Sequence, residues 1–147
     1  MEHKCYLCGN TARLVQERRE VPMGARRVTI DDEFYRCAKC GETFTVGAMG
    51  DETLRRAAAA VRREDGLLTP QEIRELRAIY GLSQANLEKL INSGEKTVVR
   101  WERGTVAQNA TADTLLRVLR DHPEVVAKLA EQRGVPVVLP EAARSAA

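Results

Sequence analysis

Aromatic residues are scarce: 4% of the 147-residue chain, made up of two Phe, three Tyr and one Trp. A large aromatic-lined substrate pocket is therefore not expected. No apolar run approaches the roughly 18–20 residues that a membrane-spanning helix needs. The opening residues MEHKCYLCGN contain no apolar stretch of the kind that begins a secretory signal, so none is expected. Neither sign of charge is in excess. The net charge is +2 from 23 basic and 21 acidic residues, spread so that each half is close to neutral. A phosphate-bearing partner would therefore have to be held by a local patch and not by a general basic field. The length suits one compact domain or two small ones, and 44% hydrophobic residues allow modest cores.

Cysteine is rare but ordered. All four fall into two Cys-x-x-Cys pairs, Cys5/Cys8 and Cys37/Cys40, and each pair runs directly into glycine, Gly9 and Gly41. Such a turn brings two thiolates to one metal, and the glycine accepts the positive φ it requires. Two matched turns close one four-sulfur site of the kind that holds a structural zinc ion. The alternatives are disulfides, which a reducing compartment disfavours, and a thiol redox site, which would use one pair in a βαβ setting. Four thiolates fill the zinc shell and leave no position for a catalytic water, so the ion is read as structural. It would supply folding energy that a segment of about 50 residues does not find in its own core. His3 lies two residues before Cys5 and could be a fifth ligand, but it is read as a disordered N-terminal residue.

Between the pairs the pattern is β. Ala12–Glu17 and Arg26–Ile30 read as short strands, with Val28 and Ile30 on one face. Pro22-Met23-Gly24 and Asp31-Asp32-Glu33 read as turns, and Phe34-Tyr35-Arg36 leads back to the second pair. Arg26 and Arg27 read as a solvated strand face. Asp51 then suits the N-cap of a helix through Leu54–Arg63, rich in alanine, basic along one side and weakly packed, which ends at Glu64-Asp65-Gly66.

The second half reads as five short helices. Thr69-Pro70-Gln71-Glu72 is a capping box with proline at the first helical position. Ile73, Leu76, Ile79 and Tyr80 form an apolar stripe that Gly81 terminates. Ser83 caps a second helix, Gln84 to about Ile91. Asn92-Ser93-Gly94 turns into a third, about Glu95 to Arg103, ended by Gly104. Thr111 or Asp113 begins a fourth, and Pro123 restarts the chain into a fifth that ends at Gly134.

The second and third of these form a helix-turn-helix. Val98 and Trp101 share a face and anchor the third helix to the core. Lys96, Thr97 and Arg100 share the opposite face near its N-terminal end, the end that enters a major groove in this motif. Arg100 can offer two parallel donors to guanine, Lys96 can reach a base or a phosphate, and Gln84 opens its helix where backbone N–H groups favour phosphate. Val99 is half-exposed and suits either a thymine methyl or no contact. Basic residues on a helix face are otherwise ordinary solvent-facing side chains.

Gly81-Leu82-Ser83-Gln84 followed by Gly94-Glu95-Lys96-Thr97-Val98-Val99-Arg100-Trp101-Glu102-Arg103-Gly104 resembles the Xre/Cro repressor helix-turn-helix. The resemblance implies phosphate contact at Gln84 and base or backbone contacts at Glu95, Lys96, Thr97 and Arg100. It also implies a buried ion pair between Arg77 and Glu102. The whole layout is more specific. A Cys-x-x-Cys…Cys-x-x-Cys-Gly-Glu module, then Leu-Leu-Thr-Pro-Gln-Glu-Ile-Arg, the helix-turn-helix, and Leu115–Leu119 before Asp121-His122-Pro123-Glu124, is similar to the MqsA/YgiT-type antitoxins across nearly all of residues 3–133. That family's pattern carries asparagine where this chain has Lys96. The resemblance implies a homodimer formed through the C-terminal domain, repression of its own operon at a palindromic double-stranded operator, and a cognate toxin bound through the zinc module.

The expected fold is α+β: a small N-terminal four-cysteine zinc-bound β module (residues 1–47), a helical linker (48–67), an all-α five-helix helix-turn-helix domain (68–134) and a flexible tail (135–147). The tail's apolar Val135–Pro140 stretch has a second reading as a partner-binding strand, and some relatives of such antitoxins carry a C-terminal chaperone-recognition segment. The expected function is that of a cytoplasmic, non-enzymatic antitoxin and autorepressor that carries one Zn2+ per chain. Two readings compete with it: a stand-alone zinc-containing transcriptional regulator, and a thiol enzyme or RNA-binding zinc ribbon.

Overall fold

The computed structural model describes residues 2–141 and divides the chain into two compact units, the first up to Val61 and the second from Arg62. The elements run β1 (Glu2–Lys4), β2 (Thr11–Met23), β3 (Arg26–Cys37), β4 (Thr43–Phe44), α1 (Met49–Asp65), α2 (Pro70–Tyr80), α3 (Gln84–Ile91), α4 (Thr97–Arg103), α5 (Ala110–Asp121) and α6 (Pro123–Arg133). The architecture is α+β, as expected. The unit boundary falls inside α1, so residues 48–67 are mostly one helix shared by both units.

In the first unit the four strands form one antiparallel sheet in sequence order. Most of it is a single long hairpin, β2 against β3 from Ala12↔Cys37 to Met23↔Arg26. The turn is shorter than the sequence suggested. Pro22 and Met23 still belong to β2, and the chain reverses at Gly24-Ala25, with Gly24 at φ 63°. Asp31-Asp32-Glu33 is not a turn either; it lies inside β3 opposite Arg18, Glu17 and Gln16. The reason is charge pairing from residues distant in sequence. Asp32 is buried and accepts from Arg19 Nη2 at 2.6 Å, Arg56 Nη1 at 3.0 Å and Thr53 Oγ1 at 2.9 Å. Glu33 accepts from Gln16 at 3.1 Å, and Glu17 pairs with Arg36. Burial alone would raise the Asp32 carboxyl, but hydrogen bonds from Arg19, Thr53 and the Glu33 N–H hold it below the usual carboxylate range. Val28, Ile30, Asp32 and Phe34 alternate along the buried face of β3. The α1 helix is not weakly packed: Ala57, Ala58, Ala60 and Val61 are buried. It begins at Met49, which places Asp51 in its first turn and not at the cap.

The second unit is a helical bundle around Leu68, Ile73, Leu76, Tyr80, Leu87, Leu90, Val98, Trp101, Leu116, Leu119 and Val126. Its helix ends follow local chemistry. Thr69 Oγ1 accepts from the Glu72 N–H while Glu72 returns a carboxylate to the Thr69 N–H, completing the capping box. Ser83 accepts from the Asn86 N–H. The α5 cap is Asn109, which accepts from the Ala112 N–H at 2.8 Å, and not Thr111 or Asp113. Asp113 is instead buried, where it accepts from the Leu68 N–H at 2.8 Å and from Arg117 at 2.7 Å. Residues 135–139, assigned to the tail by sequence, lie against this core: Val135 is buried, Val137 and Leu139 pack on it, and the Val138 N–H donates to the Tyr80 carbonyl at 2.9 Å. Residues 142–147 of that tail lie outside the described residues.

Candidate functional site

The first candidate is a metal centre. The Cys5–Cys8 and Cys37–Cys40 turns are built alike. The Gly9 N–H returns to the Cys5 carbonyl at 2.9 Å and the Gly41 N–H to the Cys37 carbonyl at 3.1 Å. Both glycines have left-handed backbones, φ 70° and 77°. The hairpin register brings the turns together, because Ala12 sits opposite Cys37 just after the first turn and just before the second. The four sulfurs lie within 4.8 Å of one another, with Cys8 Sγ 3.4 Å from Cys37 Sγ and Cys5 Sγ 3.6 Å from Cys40 Sγ. A tetrahedron of thiolates at Zn–S distances of about 2.3 Å has edges of about 3.8 Å, so the spacing fits one ion. Four soft sulfur donors select zinc or iron–sulfur chemistry over hard cations. Donors already face the sulfurs: Asn10 Nδ2 lies 3.4 Å from Cys8 Sγ, and the Lys39 N–H lies 3.4 Å from Cys37 Sγ. The Asn10 backbone and side chain lower the Cys8 thiol to about 6, whereas Cys40, despite a lowering hydrogen bond from the Glu42 backbone, is pushed up to about 12 by burial and its neighbouring thiols. His3 is not part of the cluster. It sits in β1 opposite Ala12, with its ring edge-on to Tyr35 at 4.5 Å.

The second candidate is the helix-turn-helix. Leu87, Leu90, Val98 and Trp101 are buried and fix α3 against α4. Glu95, Lys96 and Arg100 are exposed and Thr97 is half-buried. Neither Lys96 nor Arg100 makes a side-chain hydrogen bond or ion pair among the described residues. The helix starts later than its sequence pattern indicates: Glu95 and Lys96 precede α4, and Lys96 takes a left-handed backbone at φ 64°. Gln84 opens α3 half-buried and donates to Glu102 Oε1 at 3.3 Å, so part of its amide is committed to α4. The Arg77–Glu102 pair is present as a two-pronged bridge, Nε to Oε2 at 2.6 Å and Nη2 to Oε1 at 2.7 Å. Arg74 adds a hydrogen bond to the Glu102 carbonyl.

Sequence reasoning missed Glu88. It is buried in α3, and its Oε2 accepts from the Val98 N–H at 2.8 Å, satisfying one of the orphan donors at the start of α4. Arg62 and Gln108, both buried beside the other end of α4, were missed as well. Nothing local marks any of the three, because apart from Asp113, five positions from Gln108, their partners lie ten to 46 positions away.

A family model described as the antitoxin component of a bacterial toxin-antitoxin system, MqsA, matches residues 3–130. Antitoxin HigA-2 of Vibrio cholerae serotype O1 is 31% identical over 64 residues. That match takes in 44% of this chain and 62% of the relative, so the chain spans less than two thirds of the curated protein it resembles.

Proposed function

The chain belongs to the MqsA antitoxin family, and from that premise we propose that it neutralises a cognate toxin and represses its own operon by binding a palindromic operator as a homodimer. The observation that carries the DNA half of this reading is the two-faced α4. Val98 and Trp101 are committed to the core, while Arg100 is exposed, Thr97 half-buried and Lys96 exposed just ahead of the helix, and neither cation has a side-chain partner among the described residues. Arg100 is the base-reading residue, a guanidinium suited to guanine O6 and N7. Lys96, Glu95 and Thr97 contact neighbouring bases or backbone, and Gln84 contacts phosphate through what Glu102 leaves free. A two-fold dimer sets the half-sites one helical turn apart. Cys5, Cys8, Cys37 and Cys40 hold one zinc ion, which supplies folding energy to the module that meets the toxin. Four thiolates complete the metal's shell and leave no position for substrate, so the metal is structural, and we read the protein as a non-enzymatic regulator. A four-thiolate site is at home in a reducing compartment, and we propose a cytoplasmic location. None of the described helices is long and apolar enough to cross a membrane.

The deciding experiment is titration of a duplex from the region upstream of the protein's own reading frame. Arg100→Ala should weaken binding by about 1–3 kcal/mol and relax preference at one base position. Wild-type affinity in that variant would remove α4 as the reading helix. Co-purification with the product of an adjacent small reading frame tests the toxin half. A chain that purifies alone and still binds its duplex would favour a stand-alone regulator.

A further inference from the structure

The seven-residue α4 is held at both ends by buried ions supplied by other helices. Seven residues are too few to sustain a helix on their own, so what grips the ends also sets the direction of the axis. At the amino end the Glu88 carboxylate of α3 accepts from the Val98 N–H at 2.8 Å. At the carbonyl end the grip comes from Arg62, near the close of α1. Its Nη2 donates to the Trp101 carbonyl at 3.2 Å and to the Val106 carbonyl at 2.8 Å, and its Nε reaches Gln108 Oε1 at 3.4 Å. Trp101 lies in the last turn of α4, and Val106 and Gln108 lie in the segment that leaves it. The signs match the helix dipole, a carboxylate at the N–H end and a cation at the carbonyl end.

Arg62 is 5% exposed, and its side-chain hydrogen bonds all end on carbonyl oxygens, two of the backbone and one of an amide. A buried guanidinium is costly unless its donors are satisfied, and here the satisfaction depends on α4 and its exit segment staying in place. The network continues one step further. Gln108 Nε2 donates to the Leu68 carbonyl at 2.8 Å and to Asp113 Oδ1 at 3.1 Å, which ties the exit segment to the start of α2 and to α5.

We infer that Arg62 is a positioning residue for the α4 reading face: with Glu88 opposite, it fixes the angle at which Lys96, Thr97 and Arg100 are presented. The inference deepens the proposed DNA reading and rests on it. It touches no base or phosphate itself, so it governs discrimination between sequences and not general attraction to DNA.

The test compares wild type with Arg62→Met, which keeps bulk without donors, and Arg62→Lys, which keeps the charge but loses the fork. Binding is measured to a duplex from the protein's own upstream region and to a random duplex of equal length. Amide hydrogen exchange is followed in the free protein. In Arg62→Met the ratio of the two affinities should fall about tenfold, with random-duplex affinity and its salt dependence unchanged. Exchange should quicken across residues 97–106 and not in α2 or α3. Arg62→Lys should recover part of both effects. An unchanged affinity ratio alongside unchanged exchange at 97–106 would overturn the inference. So would an equal loss on both duplexes with a reduced salt slope, which would make Arg62 a phosphate contact. If wild type itself does not separate the two duplexes, the DNA reading fails, and the exchange arm alone decides whether Arg62 holds α4. If Arg62→Met does not fold, Arg62→Lys is judged by the same exchange criterion.

Discussion

Around the four thiolates of the first unit, the buried cluster consists of Cys5, Ala12, Tyr35 and Cys37, with Phe44, Val46 and Met49 packed partly against it. In the second unit the buried cluster runs from Leu68 to Val135 and draws residues from every helix between α2 and α6. Half of the first cluster's buried members, Cys5 and Cys37, belong to the four-sulfur group. The second needs no ligand because its apolar stripes meet one another. On the proposed zinc reading, the cysteine end of the first unit would owe its order to coordination, whereas the second unit owes its order to area removed from water. Charge is handled alike in both. Asp32 in one and Asp113 in the other are buried carboxylates held by arginines and by N–H or hydroxyl donors.

The largest effect that could break this comparison is metal removal. A chelator should abolish the ordered turns at residues 5–9 and 37–41, where binding of a structural zinc amounts to about 10–16 kcal/mol. The helical circular dichroism of α2–α6 should survive. Loss of that signal together with the turns would show that the second unit does not stand by itself.

Next in size is Arg77→Ala, which leaves Glu102 buried with only Arg74 and Gln84 nearby. Breaking a buried pair costs about 3–5 kcal/mol, and the remaining partners place this case at the lower end. Denaturant unfolding followed by Trp101 fluorescence should shift accordingly, while metal content stays at the wild-type value.

Acid sharpens the likeness between the units. Both Asp32 and Asp113 are held below the ordinary carboxylate range: burial would raise each, but the hydrogen bonds reverse it. A folded pKa below the unfolded one gives stability that is present at neutral pH and lost as pH falls below about 4. Asp32→Asn should remove that acid dependence, and about 1–3 kcal/mol, from the first unit alone. Asp113→Asn should do the same to the second alone. Amide exchange at pH 3 and pH 7 separates the two. The smallest effect is Thr69→Ala, about 1 kcal/mol, confined to the second unit and read as a shift of its thermal midpoint.

What could be read from sequence was whatever depends on near neighbours. The two cysteine turns with their glycines, the Thr69–Glu72 capping box, the Ser83 cap and the Gly81 stop each occupy four or five residues. The Arg77–Glu102 bridge was expected through resemblance to a repressor motif. The Asp31–Glu33 stretch was misread because its charges are answered by Arg19, Arg56 and Thr53, which no local window contains. The ends of α4 were obscured for the same reason, since Glu88 and Arg62 reach them from other helices. Val135–Leu139 reads as a tail because it lies beside the C-terminus, yet the Val138 N–H still finds the Tyr80 carbonyl.

The backbone of Lys96 leads to a consequence for selection. A left-handed φ of 64° suits glycine or asparagine and costs a long side chain about 1–2 kcal/mol. In a library randomised at this codon, a screen for heat resistance should drift toward Gly and Asn, whereas a screen for promoter silencing should hold the cation. The gap between those two winners would measure how far folding and gene control pull against each other at a single position.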